Sequence, residues 1–227
     1  MLKRVASLVF GGSCFLCRGA SRDTLCEACE HDLPRLARPS CPRCALASPG
    51  GAVCGRCLSE SPRYDQTVAA LAYEFPADAL IHALKFRGEL ALAPLMSRLL
   101  LREIPSSTKV DLVVPVPLSA KRLRSRGYNQ ALELARPIAA RLRAPLDFGL
   151  CERAREAPPQ TDLQWAERAK NVRGAFRCTR ALSGASVAVV DDVMTTGATL
   201  DEIAGTLKAA GAARVVNWVV ARTPPPN

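Results

Sequence analysis

Val187-Ala-Val-Val-Asp-Asp-Val-Met-Thr-Thr-Gly-Ala-Thr-Leu200 is the stretch on which the reading of this 227-residue chain turns. From Ser186 to Val190 the run is apolar enough for a strand buried on both faces of a parallel sheet. Two carboxylates close the run, and the turn that follows presents three threonines and a glycine. Leu200, Ile203, Ala204 and Leu207 then fall on one helical face, with Glu202 three residues after Thr199 as in a capping box and Gly211 as a stop. This pattern predicts a helix from Gly197 to Ala210.

A turn between a buried parallel strand and a helix is where such sheets bind ligands, at the carboxyl ends of their strands. Backbone N–H groups of Thr195, Thr196, Gly197 and Ala198, with the hydroxyls of Thr196 and Thr199, can surround a phosphate there, favoured by the helix dipole. Gly197 lets the backbone approach without a side chain. Asp191 and Asp192 repel a phosphate, but they accept hydrogen bonds from vicinal hydroxyls and suit a bridging Mg²⁺. Phosphate and hydroxyls together describe a ribose 5-phosphate. A plain helix cap with acidic first-turn residues accounts for one threonine and one aspartate, not for the run.

Outward from this stretch the chain alternates between strand and helix patterns. Strands are expected over Gln66 to Phe75, Asp111 to Pro117, Pro145 to Leu150 and Arg214 to Ala221. Helices are expected over Ala77 to Phe86, Glu89 to Glu103 and Tyr128 to Leu142, the last with a kink or break at Pro137. Strand after helix after strand means an α/β fold with a parallel sheet and right-handed crossovers. A domain spanning 61–227 is expected, beginning where the composition changes within Ser59 to Arg63.

Residues 1–60 have a different character, because eight of the ten cysteines lie between positions 14 and 57. They form four C-x-x-C pairs: Cys14 and Cys17, Cys26 and Cys29, Cys41 and Cys44, Cys54 and Cys57. Each pair places two thiolates on one tight turn, half of a tetrahedral site, so four pairs imply two structural zinc ions. A disulfide framework would need an oxidising compartment, and a redox C-x-x-C would not repeat four times; iron–sulfur ligation is a further alternative. Sequential pairing joins the first pair to the second and the third to the fourth across short knuckles, with Leu33 to Pro39 as connector; a cross-braced pattern would interleave them. His31 is either a substitute ligand or a surface residue. Cys151 and Cys178 have no C-x-x-C partner and read as background thiols.

The apolar run Val5 to Phe10 is too short for a signal peptide or membrane span, and no later run is long enough, so a cytoplasmic protein without a membrane span is expected. Composition is that of a globular chain, 48% hydrophobic and 23% charged, with a net charge of +10. Basic excess occurs on both sides of the boundary and favours phosphate-rich partners. Aromatic residues make up 5%, too few for an extensive base-stacking platform.

The Val187 to Leu200 segment resembles the phosphoribosyl-pyrophosphate (PRPP) motif of type I phosphoribosyltransferases, with every motif position filled. Val114-Pro-Val-Pro-Leu-Ser-Ala-Lys-Arg-Leu-Arg-Ser-Arg-Gly-Tyr-Asn-Gln-Ala131, the Lys85-Phe-Arg-Gly88 turn, and Gln160, Leu163, Arg168, Asn171, Val172, Ala175 and Phe176 narrow the resemblance. With the paired ribbons, these features look like the ComF family, linked to natural competence and DNA uptake. The resemblance implies a type I phosphoribosyltransferase-like parallel sheet with flanking helices, preceded by a small double zinc ribbon. It also implies PRPP as ligand, with Mg²⁺. Asp191, Asp192, Thr195, Thr196, Gly197, Ala198 and Thr199 would hold the ribose phosphate, and Lys121 and Arg122 the pyrophosphate, Arg124 and Arg126 extending the charge. Lys85 is a further candidate or else a surface lysine.

One position departs from the family pattern. Ala157 stands two residues after Arg155, where a threonine is usual, followed by Pro158 and Pro159. The segment Glu156 to Glu167 would form a hood over the site, and its Trp165 would stack on a base or anchor the loop. Two functions follow. One is a PRPP-binding protein of DNA uptake that also binds single-stranded DNA and works with competence or DNA-processing proteins. The other is an active phosphoribosyltransferase of nucleotide metabolism, passing the ribosyl phosphate to a nucleobase or amine.

Overall fold

A computed structural model describes residues 12–154 and 172–224. Its strands are β1 (Gln66–Ala72), β2 (Leu112–Pro115), β3 (Cys151–Arg153), β4 (Phe176–Cys178), β5 (Ser186–Met194) and β6 (Arg214–Arg222). The α-helices among the described residues are α1 (Glu27–His31), α2 (Gly55–Ser59), α3 (Ala77–Phe86), α4 (Leu92–Glu103), α5 (Ala120–Arg126), α6 (Gln130–Leu142) and α7 (Ala198–Ala209). Four strands form a parallel sheet in the order β1-β6-β5-β2. β6 is central, and from Val215 to Arg222 every residue is buried, as its apolar run requires.

Period-two alternation divides the sheet's side chains between two cores. Ala188, Val190, Val216, Trp218 and Val220 face α3, α4 and α6, joined by Leu99, Leu134 and Ile138. Val187, Val189, Val215 and Val219 face α7 and its Leu200, Ile203 and Leu207. Each of these large side chains, fully buried, stabilises the fold by roughly 1.5–3 kcal/mol relative to exposure.

The cysteine-rich segment packs on both cores. Cys14, Leu25 and Leu33 belong to the first, while Cys41, Cys44 and Cys57 belong to the second. Its connector also covers the open edge of β1. Ala72 N–H donates to Pro34 O at 2.9 Å, Thr67 N–H donates to Pro42 O at 3.0 Å, and Arg35 bridges to Leu71. An unpaired parallel edge is an invitation to aggregation, so these contacts protect the sheet. Glu30 on α1 grips α4, accepting from Arg98 at 3.0 and 2.7 Å and from Arg102 at 2.7 Å. Those donors, Arg98 foremost, hold the Glu30 carboxyl below the usual range.

Several predicted boundaries change. β1 stops at Ala72 and β2 is shorter than Asp111 to Pro117, while β5 continues past Val190 to Met194. The predicted strand over Pro145 to Leu150 reduces to one parallel bridge, Val113 to Leu146, because β2 offers only four residues to pair with. α6 runs unbroken through Pro137. The capping box is absent: Gly197 is the N-cap of α7, and Glu202 instead accepts from Gly174 N–H at 2.7 Å and from Arg63 at 2.5 Å. The basic turn after β2 is the helix α5, capped by Ser119 Oγ accepting from Arg122 N–H.

β3 and β4 pair antiparallel, with Cys151 opposite Cys178. Thr179 N–H bonds to Leu150 O and Ala154 N–H to Ala175 O, so the ladder's hydrogen-bonded pairs are 150/179 and 154/175. By alternation Cys151 and Cys178 are a non-hydrogen-bonded pair, with Cα atoms about 4.5 Å apart, inside the range a disulfide spans. Both thiols are free, as expected of residues without a C-x-x-C partner, and the ladder sets them opposite each other. Treatment with diamide is expected to join them, the thiols passing two electrons and two protons to the reagent's N=N bond. Peptide mapping should recover both in one linked fragment; finding Cys151 only as thiol after full reaction of Cys178 contradicts this geometry.

Candidate functional site

Asp191 and Asp192 lie inside β5, so their side chains leave opposite faces of the strand. Asp192 continues the face of Ala188 and Val190 and is 2% exposed. Lys85, at the end of α3, places Nζ 2.9 Å from its Oδ2, and with 22% side-chain exposure Lys85 is no ordinary surface lysine. The Lys85 ammonium is thus the charged partner of a nearly fully buried Asp192 carboxylate. Asp191 follows the face of Val187 and Val189. Burial, then the neighbouring Asp192 charge, pushes its carboxyl well above the usual carboxylate range, with Lys85 pulling the other way.

Between β5 and α7 the chain turns over Thr195, Thr196 and Gly197. Gly197 has φ 88°, in the left-handed region, and a Cβ there would stand 2.7 Å from Met194 Cε and 3.1 Å from the Tyr64 hydroxyl. Only glycine fits both the torsion and the space. Thr196 Oγ1 accepts from Ala198 N–H at 3.1 Å, so one of the four predicted phosphate donors is already engaged, while Thr199 stands within the first turn of α7.

The basic residues divide. Lys121 and Arg122 lie on the first turn of α5, exposed. Arg126, at the end of that helix, is the one drawn inward: it bonds Gln130 Oε1, lies 5.2 Å from the Phe86 ring centroid, and feels the charges of Asp192 and Asp191. Burial lowers its guanidinium, and the two carboxylates oppose that. Phe86 itself is 65% exposed beside His82, a large ring held open next to cations. The predicted hood residues, Glu156 to Glu167 with Ala157 and Trp165, and the markers Gln160, Leu163, Arg168 and Asn171, lie outside the described residues.

Eight sulfurs gather in two groups, Cys14 with Cys17, Cys26 and Cys29, and Cys41 with Cys44, Cys54 and Cys57. This is the sequential arrangement. Within each group the ligand atoms lie within 4.8 Å of one another, with Cys17 to Cys26 at 3.7 Å and Cys44 to Cys54 at 3.6 Å. Four thiolates at about 2.3 Å from one zinc would stand about 3.8 Å apart, so the groups fit the metal. Burial alone raises the Cys14 and Cys41 thiols, but backbone N–H groups aimed at their sulfurs outweigh it and bring them to about 6 and about 7. Thiolate is the form that zinc requires. His31 is exposed beside Asp32 and belongs to neither group.

Residues 5–58 match the model of the double zinc ribbon domain, and residues 129–224 that of the phosphoribosyl transferase domain. DNA utilization protein YhgH of Escherichia coli (strain K12) is 35% identical over 226 residues, covering 95% of this chain and 99% of that protein. Competence protein F of Haemophilus influenzae is 30% identical over 226 residues, covering 94% and 98%. The chain belongs to the ComF family.

Among solved structures, the allosteric regulatory enzyme of purine biosynthesis is similar at 25% identity and a TM-score of 0.37. The match covers 56% of the ComF chain and a quarter, 25%, of that enzyme's. From the two domain matches, the parallel sheet and the two cysteine groups, the ComF fold is a type I phosphoribosyltransferase-like parallel sheet with flanking helices, preceded by a double ribbon whose cysteines are arranged for structural zinc. No helix among the described residues is long and apolar enough to cross a membrane.

Three residues of the ComF site escaped the sequence reading. Arg222 is wholly buried and bonded to the carbonyls of Met194 and Thr195; Arg56 Nη2 donates to Thr196 O at 2.9 Å; Tyr64 packs under Gly197. Each acts over a separation of more than 25 positions, so no local spacing marks it.

Proposed function

We propose that this ComF protein binds PRPP with Mg²⁺ in the turn from β5 to α7 and serves DNA utilization by also engaging single-stranded DNA. The observation that carries the reading is the pair of adjacent carboxylates near the end of β5, Asp191 and the buried Asp192 that Lys85 holds, leading directly into the turn of Thr195, Thr196 and Gly197 before α7. A ribose hydroxyl or a hydrated Mg²⁺ would donate to Asp192 alongside Lys85, and Asp191 accepts the partner hydroxyl. N–H groups of Thr195, Thr196 and Gly197 and the hydroxyls of Thr196 and Thr199 take the 5-phosphate; Lys85, Lys121, Arg122 and Arg126 face the pyrophosphate. When bound, Mg²⁺ offsets the charge on the pyrophosphate oxygens.

The same residues would serve transfer of the ribosyl phosphate, because stabilising a departing pyrophosphate is an electrostatic task. Release of pyrophosphate in the presence of a nucleobase or amine is the assay for that second reading.

We place the protein in a reducing cytoplasm, where thiols stay available to bind zinc, and the domain division at 1–60 and 61–227. DNA is assigned to the exposed side of α5 and the end of α3, where Phe86 and Leu123 are exposed among Lys121, Arg122, Arg124 and Arg126. Cations take the backbone and a ring takes a base. In gel-shift titrations with an oligothymidylate, affinity should fall steeply between low and moderate salt. Glutamine at the four basic positions should cost at least about tenfold. Binding that ignores both salt and these substitutions sinks the DNA assignment.

A further inference from the structure

The second cysteine group and the phosphate loop are joined by two arginines. Arg222 ends β6 in register with Met194, and its side chain is 0% exposed. Its Nε donates to Cys44 O at 2.8 Å, on the second ribbon. Its Nη1 meets the carbonyls of Met194 at 2.9 Å, of Thr195, and of Thr223 at 2.9 Å. From the other side Arg56, between ligands Cys54 and Cys57 on α2, donates to Thr196 O at 2.9 Å. The ribbon's end is anchored to α7 as well, where Arg63 binds Asp201 at 2.9 Å and Glu202 at 2.5 Å.

Three successive carbonyls, Met194, Thr195 and Thr196, are therefore held on the ribbon side. In a trans peptide the carbonyl of one residue and the N–H of the next point in opposite directions. Pinning these carbonyls inward turns the N–H groups of Thr195, Thr196 and Gly197 outward, the arrangement that makes an anion-binding nest. The first cysteine group has no part in this. Its contacts run through Leu25, Leu33 and Glu30 to the opposite core and α4.

We propose that the second zinc ribbon is a positioning device for the phosphate loop, with Arg222 and Arg56 as the positioning residues through which the metal-held knuckle orients the loop's N–H groups. The proposal rests on the reading of that loop as a phosphate site and adds what sets its geometry. Coupling of this kind is reciprocal: what zinc does for the loop, a phosphate ligand on the loop does for the zinc site.

The test uses full-length zinc-loaded protein. Amide hydrogen exchange at Ala198, Asp201 and Thr223, whose N–H groups bond Thr196 Oγ1, Gly197 O and Met194 O, is followed without ligand in wild type, Arg222→Met, Arg222→Lys, Arg56→Ala and, as control, Cys17→Ser in the first ribbon. Arg222→Met and Arg56→Ala should each speed exchange at these amides by about tenfold, the effect of removing a charged donor from the loop's carbonyls. Arg222→Lys should recover part of the protection, and Cys17→Ser should leave the loop as in wild type. With Co²⁺ in the second site, adding PRPP and Mg²⁺ should shift the thiolate–cobalt absorption in wild type and not in Arg56→Ala.

Should Arg222→Met fail to fold, the exposed Arg56 carries the test alone. Unchanged loop exchange in Arg56→Ala, or equal loosening by Cys17→Ser, overturns the proposal. If wild type binds no PRPP, the phosphate reading falls, while the exchange data, which need no ligand, still decide the coupling.

Discussion

Chelating the metal from this protein is expected to release two zinc ions per chain and to collapse the segment 12–60. Structural zinc in a four-sulfur site contributes about 10–16 kcal/mol to the folding of a ribbon too small for a core of its own. The loss would spread beyond the ribbons. Pro34 and Pro42 would leave the edge of β1 uncovered, Cys14 and Cys57 would vacate the two cores, and Arg222 would lose its Cys44 carbonyl. Calorimetric melting should therefore show Tm lowered by more than about 10 °C on metal removal. In the zinc-loaded state a thiol reagent should reach Cys178 first, since Cys151 is 1% exposed and the other eight sulfurs are held. Release of two zincs with an unchanged Tm would contradict a structural role.

Replacing Asp191 by asparagine should separate stability from binding. The folded-state carboxyl is raised by burial and by Asp192. A raised group contributes stability that is present below the ordinary carboxylate range and is lost as pH rises through its folded value. As pH rises, the ligand-free protein thus bears a growing cost for this carboxyl beside Asp192. Asp191→Asn removes that cost without changing shape. Its Tm should exceed wild type by about 2–4 °C at pH 8, and the difference should shrink or reverse towards pH 4. Affinity for PRPP should fall at the same time by at least about a hundredfold, as for loss of a charged partner. The two effects together would mark Asp191 as a group kept for its ligand rather than for the fold. A Tm lowered at every pH would contradict this.

What could be read from residues alone follows the range of the interactions concerned. α3 is found where its apolar spacing places it, from Ala77 to Phe86, because that pattern is decided within three turns. The eight cysteines declare themselves because two ligands of each site are neighbours on one turn. β5 was legible only to Val190, since two carboxylates break the apolar run and nothing local says that Met194 will pair with Arg222. The strand expected at Pro145 to Leu150 had apolar content but no full-length partner. For the site, the motif marks Asp191 to Thr199, and the ion pair of Asp192 with Lys85 turns a doubtful lysine into a part of it. Arg222, Tyr64 and Arg56 stayed hidden because an arginine near a chain's end, a tyrosine after a ribbon and a basic residue between cysteines carry no sign of the carbonyls or glycine they will meet.

The most direct test of the account is a calorimetric titration of PRPP into the zinc-loaded protein, with and without Mg²⁺, on wild type and on the double variant Asp191→Ala with Asp192→Ala. Saturable binding that needs Mg²⁺ in wild type and is absent in the double variant is the expected result. Binding of equal strength to both proteins, or none to wild type, would contradict the assignment of this loop to PRPP.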